Sequence, residues 1–300
     1  METHVTMNSN HSILIMGDRG MLAHAIKVQL RSRKLNFAGV DLPDCDITNA
    51  DSVAAAFERL RPSLVINCAA FTNVDACESK SDLANAVNGT GVGNLATAAK
   101  RFDAKLIHFS TDYVFDGTLR RPLRVNDAVS PQSAYGRSKL LGEQAIQIIN
   151  PPGWTIIRTA WLFGPNGPNF PQAMLNAAKA EKPLRVVGDQ VGAPTFTVDL
   201  AAAMLRLIDH NASGIWHIAN SGATNWFEFA KAIFAEFKVT PTSFEQISSE
   251  QWKHIKPDSA IRPAYSVYDL SPYEKLTGLS MPDWREGLRR YRQLFEGAEE

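Results

Sequence analysis

The apolar run Ser12–Met16 leads directly into a glycine loop, and a helical pattern follows to about Arg33. An uninterrupted apolar run is typical of a strand buried on both faces of a parallel sheet. The loop, Gly17–Ala23, has the spacing Gly-x-x-Gly-x-x-Ala. Its glycines let the backbone approach a pyrophosphate at the helix N-terminus, and Ala23 allows close packing of helix on strand. Glycine pairs also occur in ordinary turns, but between a strand and a helix this spacing predicts a dinucleotide-binding α/β fold.

The chain then alternates strands and helices, which is the pattern of a parallel sheet. Further strands are predicted at Phe37–Val40, Leu64–Asn67, Lys105–Phe109 and Trp154–Thr159, and helices from about Asn49 to Leu60, from about Asp82 to Phe102 and from Ser133 to about Asn150. We therefore expect a Rossmann-type, doubly wound parallel sheet.

Three prolines, Pro165, Pro168 and Pro171, mark a change of chain path, after which the pattern is less regular. A helix and a strand near residues 198–218 are expected to rejoin the sheet. We divide the chain into a disordered leader (residues 1–11), a nucleotide-binding domain (residues 12–165 and about 196–219) and a smaller, mixed α/β substrate-binding domain (about 166–195 and 220–296).

Composition narrows the class of protein. Lys plus Arg and Asp plus Glu number 31 each, so neither nucleic acid nor an anionic membrane surface is indicated as a partner. The apolar runs are far shorter than the roughly 20 residues of a membrane span. Residues Met1–His11 are polar and lack the apolar segment of a signal peptide. Cys45, Cys68 and Cys77 show no metal-binding spacing, and their odd number fits reduced thiols in a cytoplasmic protein.

The residues predicted to contact the dinucleotide follow successive strands. Asp41 ends the second strand, where an acidic residue hydrogen-bonds the adenosine ribose and favours NADH, whereas the Arg19 guanidinium could hold the 2′-phosphate of NADPH. The choice between NADH and NADPH stays open. Asp46 and Ile47 could border the adenine, although Asp46 could equally cap the next helix. The predicted set is Gly17, Arg19, Gly20, Met21, Leu22, Asp41, Asp46, Ile47, Cys68, Ala69, Ala70, Phe71, Phe109, Tyr135 and Lys139.

Tyr135 and Lys139 lie four residues apart in the helix that Ser133 is placed to cap, and so share one face of it. A nearby ammonium favours the phenolate and is expected to lower the tyrosine pKa from its usual value of about 10. Such a phenol can act as a proton donor and acceptor. The alternative is an exposed tyrosine beside a solvated lysine, so the pair needs support from a polar partner elsewhere.

Thr111 supplies that partner, because it follows the fourth strand at the edge of the sheet where ligands bind. Its hydroxyl could hydrogen-bond a substrate carbonyl, or could instead serve an ordinary hydroxyl-capped turn. His108 within the strand is interpreted as a packed core residue rather than a base, and Asn88 as structural. The polar loop Asp189–Thr195 is well suited to ligand contact.

Taken together, these motifs resemble the dTDP-4-dehydrorhamnose reductase family of the extended short-chain dehydrogenase/reductase superfamily. The resemblance extends from about Ser12 to Leu294 and is carried by residues 17–23, 67–75, 110–117, 133–143, 158–164, 189–195 and 214–230. The glycine fingerprint and Tyr-x-x-x-Lys are shared across the superfamily. Ser-Thr-Asp-Tyr-Val-Phe at 110–115 and Asp-Gln-x-Gly-x-Pro-Thr at 189–195 are more specific.

The resemblance implies reduction of the 4-keto group of dTDP-4-dehydro-L-rhamnose by NAD(P)H, giving dTDP-L-rhamnose for cell-surface polysaccharide, in a monomer or homodimer. It implies that Thr111, Tyr135 and Lys139 are the catalytic trio. Thr111, Asp112 and Trp161 would contact the sugar nucleotide, and Arg262 a phosphate. Magnesium is suggested by the resemblance alone, because the acidic residues said to hold it in some members have no match here. Ala23 replaces the commoner third glycine.

Three other functions share parts of this pattern. Dehydratases of the superfamily resemble one another in having Asp-Glu after the threonine, whereas Asp112 is followed here by Tyr113. A 4-epimerase usually resembles a pattern with serine in place of Thr111, on a longer chain. A non-catalytic regulatory subunit of a methionine adenosyltransferase also belongs to this structural family. The intact Thr111, Tyr135 and Lys139 favour an enzyme.

Overall fold

The computed structural model describes residues 13–296, so the expected leader and Ser12 lie outside the described residues. Within these described residues, the strands are β1 (Ile13–Met16), β2 (Phe37–Val40), β3 (Leu64–Asn67), β4 (Lys105–Thr111), β5 (Thr155–Thr159), β6 (Leu162–Phe163), β7 (Leu184–Val187), β8 (Val191–Gly192), β9 (Thr195–Phe196), β10 (Gly214–His217), β11 (Thr224–Asn225) and β12 (Phe244–Ile247).

The α-helices of the described chain are α1 (Met21–Ser32), α2 (Ala50–Leu60), α3 (Val74–Ser79), α4 (Ser81–Asn85), α5 (Gly91–Arg101), α6 (Ala134–Ile149), α7 (Phe170–Lys179), α8 (Thr197–Asp209), α9 (Trp226–Glu236), α10 (Ser249–Ile255), α11 (Ser271–Thr277) and α12 (Trp284–Glu296). A π-helical turn, Ala86–Thr90, joins α4 to α5, and a 3₁₀ turn, Asp112–Val114, follows β4. None of these helices is both long and apolar enough to cross a membrane.

Six strands form the central sheet in the order β10-β5-β4-β3-β1-β2, and each neighbouring pair is parallel. The predicted α/β fold is confirmed, and β10 returns to the edge of the sheet beside β5. The chain runs outward from β1 in both directions, so a switch point lies between β1 and β3. Crevices at such a switch point, outside the carboxyl ends of the strands, are where open α/β sheets bind ligands.

Helices cover both faces of this sheet, which explains the continuous apolar run of β1. Ile13 and Ile15 pack into the core on one face with residues of α1 and α8, while Leu14 and Met16 pack into the core on the other face with residues of α2, α5 and α6. All four side chains are at most 1% exposed. Alternate residues of a strand point to opposite faces, so both faces of β1 must be apolar.

Strands β6 to β9, β11 and β12 and helices α7, α9, α10 and α12 form an outer layer, which the chain enters after the carboxyl end of β5. Its core is aromatic and includes Phe163, Phe196, Phe229 and Trp284. Three two-stranded sheets, β6–β9, β7–β12 and β8–β11, complete this layer. The division into two domains remains a prediction.

The structure differs from the sequence-based predictions at several helices, and α10 and α11 were not predicted at all. The expected helix from Asp82 to Phe102 consists of α4 and α5 with the π turn between them. The six-residue helix α3 was not expected. Helix α7 begins beside Pro171, one of the three prolines that mark the predicted change of chain path. The Asn169 side chain caps α7 by accepting a hydrogen bond from Gln172 N, and proline in a first turn costs no helical hydrogen bond.

Candidate active site

The glycine loop between β1 and α1 lies directly against the segment that follows β3. Gly17 has φ +72°, and a Cβ atom there would stand 2.6 Å from the backbone nitrogen of Ala69. Only glycine combines this backbone conformation with such a close approach. No side chain caps α1, whose N-cap residue is Gly20, so the first amides of the helix are left to bind an anion.

A cavity of about 370 Å³ extends from this glycine loop along the end of β2. It is lined by the predicted contacts Gly17, Gly20, Asp41, Asp46, Ile47, Cys68, Ala69, Ala70 and Phe71. The Asp41 carboxylate accepts hydrogen bonds from the backbone N–H groups of Arg19 (3.1 Å) and Leu42 (2.8 Å). The Arg19 side chain lines neither this cavity nor the cleft described below. Arg19 contributes here only the hydrogen bond from its backbone N–H to Asp41.

Asp46 lines the cavity but also orders its own turn, since its Oδ1 accepts hydrogen bonds from Thr48 N and Thr48 Oγ1. The cap of α2 is Asn49, whose Oδ1 accepts from Asp51 N and Ser52 N. The alternative in which Asp46 caps that helix is therefore wrong.

A cleft of about 480 Å³ lies outside the carboxyl ends of β1, β3, β4 and β5. It brings together Gly20, Met21, Leu22, Cys68, Ala69, Ala70, Phe109, Thr111, Asp112, Tyr135, Lys139 and Trp161. It shares Gly20 and the segment Cys68–Ala70 with the cavity beside Asp41. One groove therefore runs from Asp41 to the three residues of the predicted trio, a shape suited to an extended dinucleotide.

Tyr135 and Lys139 lie in the first turns of α6, which Ser133 caps by accepting a hydrogen bond from Gly136 N at 3.1 Å. Lys139 is 2% exposed. Its Nζ donates to Phe109 O at 2.7 Å and lies 3.3 Å from His108 Nε2. Burial lowers the pKa of Lys139 to about 8, although Glu143 and Cys68 oppose the shift.

The pKa of Tyr135 is raised above its usual value, because burial of the phenol outweighs the opposing hydrogen bond with Thr111. The expectation that Lys139 lowers this pKa is wrong for the free protein. The Lys139 ammonium is directed at a backbone carbonyl rather than at the phenol oxygen. Tyr135 is consequently a protonated phenol at neutral pH, which is the form that donates a proton.

Thr111 caps a turn and also faces the cleft, while its hydrogen bond to a substrate carbonyl stays a prediction. Its Oγ1 accepts a hydrogen bond from Tyr113 N at 3.2 Å, which caps the 3₁₀ turn, and it also faces the cleft. The hydroxyl donates to Asp112 Oδ1 at 3.0 Å. Asp112 is 2% exposed, and burial raises its pKa to about 6 against hydrogen bonds from Ser266 and Thr111.

Trp161 forms a wall of the cleft and is held by an aromatic stack. Its ring lies 3.6 Å from that of Trp226, with 11° between their planes. A Cβ atom added at Gly192 would lie 2.7 Å from Cε2 of the Trp161 ring. Trp226 was not predicted as a site residue, and Gly192 was predicted only as part of the ligand-contact loop Asp189–Thr195, because their contacts with Trp161 span distant parts of the sequence.

The polar loop expected to touch the ligand turns away from the cleft. Asp189 accepts hydrogen bonds from the backbone N–H and hydroxyl of Ser249, and Gln190 donates to the same hydroxyl. None of the loop residues lines the cleft. The loop thus contributes Gly192 behind Trp161, and its polar side chains hold the start of α10.

Arg262 does not line the cleft either. Its guanidinium donates to Asp75 Oδ1 at 2.9 Å and to Ala260 O at 3.0 Å. Its side chain remains 24% exposed, and contact with a phosphate stays a prediction.

Two further residues belong to the structure of the cleft: Asn88 lies behind it, and Thr159 lines it. The Asn88 side chain accepts a hydrogen bond from Phe71 N and donates to Phe71 O and Ser138 Oγ, which joins the π turn to α6. Thr159 lies beside Thr111 in the β4–β5 register and lines the cleft, and its buried hydroxyl has no hydrogen-bond partner. Sequence reasoning missed Thr159, although its position at the end of β5 was the available signal.

Metal binding was tested against the side chains present. Across residues 13–296, no three His, Cys, Asp or Glu side chains come together where they could hold a metal ion. The described residues therefore do not fit the magnesium ion that the resemblance suggested.

The comparisons with known proteins agree with this geometry. The family model of the RmlD substrate binding domain matches residues 11–296. The spore coat polysaccharide biosynthesis protein SpsK of Bacillus subtilis is 39% identical over 94% of this chain and 96% of its own length. A dTDP-4-keto-6-deoxy-D-glucose reductase of Streptomyces niveus is 38% identical over 95% of this chain and 98% of its own.

Solved structures give the same result. A dTDP-4-dehydrorhamnose reductase from Clostridium acetobutylicum superposes with a TM-score of 0.89 at 40% identity, covering 95% of this chain and 99% of that one. The Bacillus anthracis dTDP-4-dehydrorhamnose reductase in complex with NADP gives 0.88 at 34% identity, covering 94% and 99%.

Fold and site together define an oxidoreductase of the short-chain dehydrogenase/reductase type. The sheet supplies the dinucleotide-type groove, and Thr111, Tyr135 and Lys139 lie together at one end of it. Within this class, the chain belongs to the dTDP-4-dehydrorhamnose reductase family.

Proposed function

We propose that this protein reduces the 4-keto group of dTDP-4-dehydro-L-rhamnose with NAD(P)H and forms dTDP-L-rhamnose. The observation that carries the proposal is the single cleft shared by Thr111, Tyr135, Lys139 and Trp161. Several relatives named dTDP-4-dehydrorhamnose reductase support it, including that of Mycolicibacterium smegmatis at 38% identity.

The side chains of the trio have distinct parts in this reaction. When bound, NAD(P)H supplies the hydride that reduces the carbonyl carbon. Tyr135 donates the proton that the carbonyl oxygen needs, because burial keeps its phenol protonated. The Thr111 hydroxyl orients the carbonyl from the end of β4, which is catalysis by positioning and preorganised hydrogen bonding. Lys139, when charged, offsets negative charge that develops on the phenol.

The sugar nucleotide is proposed to lie between the sheet edge and the outer layer. Trp161 offers a rigid aromatic face there, which can pack on a sugar or a base. Asp112 is buried beside Thr111 and lines the same cleft, so it is proposed to contact the sugar together with Thr111.

The cofactor is proposed to lie along the groove from Asp41 to Tyr135. The Bacillus anthracis relative was solved with NADP, while Asp41 lines the part of the groove in which the 2′-phosphate of NADPH is proposed to lie. Asp41→Ala should therefore raise the preference for NADPH over NADH, by about tenfold if about 1.4 kcal/mol of repulsion is relieved. The ratio of kcat/KM values measures this, and Asp44→Ala, an exposed acid on the same loop, is the matched control. An unmoved ratio in Asp41→Ala would leave Arg19 as the candidate.

A second substrate is favoured by one specific finding. The Streptomyces niveus relative is named for dTDP-4-keto-6-deoxy-D-glucose, which presents a 4-keto group on a different sugar ring. The same trio could reduce either ketone, so the shape of the cleft beside Trp161 decides between them.

The test offers both ketosugars, each generated enzymatically, to purified protein with NADPH and then with NADH. Loss of cofactor absorbance together with identification of dTDP-L-rhamnose supports the proposal. Faster turnover of the D-gluco ketosugar would replace the substrate but keep the reaction. No oxidation with either sugar, combined with tight binding to a methionine adenosyltransferase, would identify a regulatory subunit instead.

A further inference from the structure

Three buried polar side chains, Asn67, His108 and Lys139, lie in a row, and the direction of the hydrogen bonds between them can be worked out. Ala69 N–H donates to Asn67 Oδ1 at 3.0 Å, which fixes the orientation of the Asn67 amide. Its Nδ2 therefore faces His108 Nδ1 at 3.0 Å. Asn67, His108 and Lys139 are 1%, 0% and 2% exposed, so water does not compensate for a mismatched pair.

This orientation determines where His108 carries its proton. An amide nitrogen can only donate, so His108 Nδ1 must accept. Burial and the neighbouring Lys139 lower the pKa of His108 well below its usual value, so the ring is neutral and its proton lies on Nε2. That Nε2 lies 3.3 Å from Lys139 Nζ. An N–H facing an ammonium is donor against donor, whereas an N–H facing an uncharged amine is a hydrogen bond.

We infer that Asn67 and His108 form a chain of hydrogen-bond donors that ends on Lys139 Nζ and favours its uncharged amine over the ammonium. His108 and Asn67 are thereby positioning residues, acting through Lys139. The role of Lys139 in reduction rests on the proposed function, but the donor chain does not.

The other groups around Lys139 leave this effect in place. Phe109 O accepts from Nζ in either charge state. The Glu143 carboxylate favours the ammonium, but it is shared with Arg158, whose Nη2 lies 2.7 Å from Oε2, and with Ser110. On the remaining side, Cys68 also opposes the lowered pKa of Lys139, but burial raises the pKa of its own thiol to about 12 and outweighs Cys68 at Lys139, and Tyr135 is an uncharged phenol.

A single substitution should reverse the direction of the chain. In Asn67→Asp, the carboxylate accepts from both Ala69 N–H and His108 Nδ1, which moves the ring proton to Nδ1. Nε2 then accepts from the Lys139 ammonium, and the pKa of Lys139 should rise by about one unit or more. His108→Gln should raise it as well, because its amide oxygen can turn toward the ammonium.

The free protein, without substrate or cofactor, provides the first measurement. Nitrogen-15 histidine NMR should show a neutral His108 with its proton on Nε2, assigned by loss of the signal in His108→Gln. His217 is an internal control: it is also buried and neutral, but its Nδ1 must donate to Leu123 O at 3.0 Å, so it should show the opposite tautomer. A His108 proton on Nδ1 in the wild-type protein would overturn the inference, whether or not any variant folds.

The second measurement follows Lys139 itself. Carbon-13 labelled lysine titrated by NMR, with Lys139→Met for assignment, should place its pKa about two units or more below an exposed lysine and move it upward in Asn67→Asp. His217→Gln should leave it unchanged. If Lys139 titrates with the exposed lysines in the wild-type protein, the inference fails. If the NMR results hold while no ketosugar is reduced, only the proposed function fails; if sugar is reduced, the alkaline limb of kcat/KM should move to higher pH in Asn67→Asp.

Discussion

Tyr135 is the residue on which the proposed reaction depends most directly. Its phenol is the proposed proton donor, so Tyr135→Phe should lower kcat by about 100-fold or more, the scale of lost general acid catalysis, while NAD(P)H still binds. Steady-state kinetics and a fluorescence titration of the cofactor measure the two quantities. Tyr113, whose ring packs edge-on against Tyr135 at 5.4 Å, provides the control Tyr113→Phe. Unchanged turnover in folded Tyr135→Phe would remove the tyrosine from the mechanism.

Asp112 gives a second prediction for a single residue, in terms of stability. Its pKa is raised from 3.8 to about 6 in the folded protein, so the folded state binds this proton more tightly than the unfolded chain does. The free energy of unfolding should therefore fall as the pH rises from about 4 to about 6, by up to about 3 kcal/mol from this group. Asp112→Asn lacks the titration, and the difference between the two proteins should shrink or change sign across this range.

Urea unfolding of both proteins at pH 4.5, 5.5 and 7 tests this, since contributions common to the two cancel. Asp127→Asn is a useful comparison because the pKa of Asp127 is lowered to about 2 by Arg121 and the Arg124 backbone, the opposite direction. A difference between wild type and Asp112→Asn that is independent of pH would contradict the raised pKa.

Among the elements, α12 is the one whose attachment can be tested most directly. Arg290 Nη2 on this helix donates to Asp199 Oδ2 on α8 at 2.7 Å, and the same oxygen accepts from Asn220. The Asp199 side chain is 6% exposed, so losing its cationic partner leaves a buried carboxylate poorly compensated. Arg290→Gln should cost about 2 kcal/mol of stability.

Denaturant unfolding measures this cost. The matched control is Lys231→Gln on α9, whose pair with Glu228 is about half exposed and should contribute less than about 1 kcal/mol. Equal effects from the two substitutions would show that the buried position of Asp199 is not decisive.

How accurately a helix or strand is predicted from the sequence depends on whether the residues that determine it are close together in the chain. β1, β2 and β3 were placed to within one residue because each is a short apolar run bounded by turn residues. Helix α7 was missed because Pro171 resembles a break unless its position in the first turn is known. The π turn was not predicted, and the residues that its Asn88 side chain contacts, Phe71 and Ser138, are distant in sequence.

For the whole molecule, the sequence predicted most residues of the groove, Trp161 included, but not the packing behind them. The fingerprint, Asp41 and Cys68–Phe71 follow strands of one parallel sheet and Thr111 ends another, so their convergence could be deduced from strand order. Tyr135 lies in α6, the helix between β4 and β5. The stack of Trp161 on Trp226 depends on how the outer layer folds back, and no local pattern encodes that. Local chemistry likewise misjudged the pKa of Tyr135, because burial exceeded the effect of a neighbouring charge.

From the arrangement of the whole molecule, we expect NADPH and dTDP to bind in the same cleft but to contact different walls of it. NADPH and dTDP should each raise the free energy of unfolding, by about 2.7 kcal/mol at 100 times the respective Kd. Trp161→Ala should reduce the stabilisation by dTDP far more than that by NADPH, because Trp161 faces the outer layer. Thermal unfolding with each ligand alone measures both. Equal losses for the two ligands would place Trp161 beside the cofactor instead.

The stacked tryptophans also have an optical consequence. Two indole chromophores with ring centroids 3.6 Å apart and planes inclined by 11° do not absorb independently, because their transition dipoles couple at that distance. Such a pair contributes a near-ultraviolet circular dichroism signal that neither ring produces alone. Because Trp161 is also a wall of the cleft, a ligand that shifts its ring relative to Trp226 alters this signal. The protein thus carries its own spectroscopic reporter of what lies in the cleft, with no label attached.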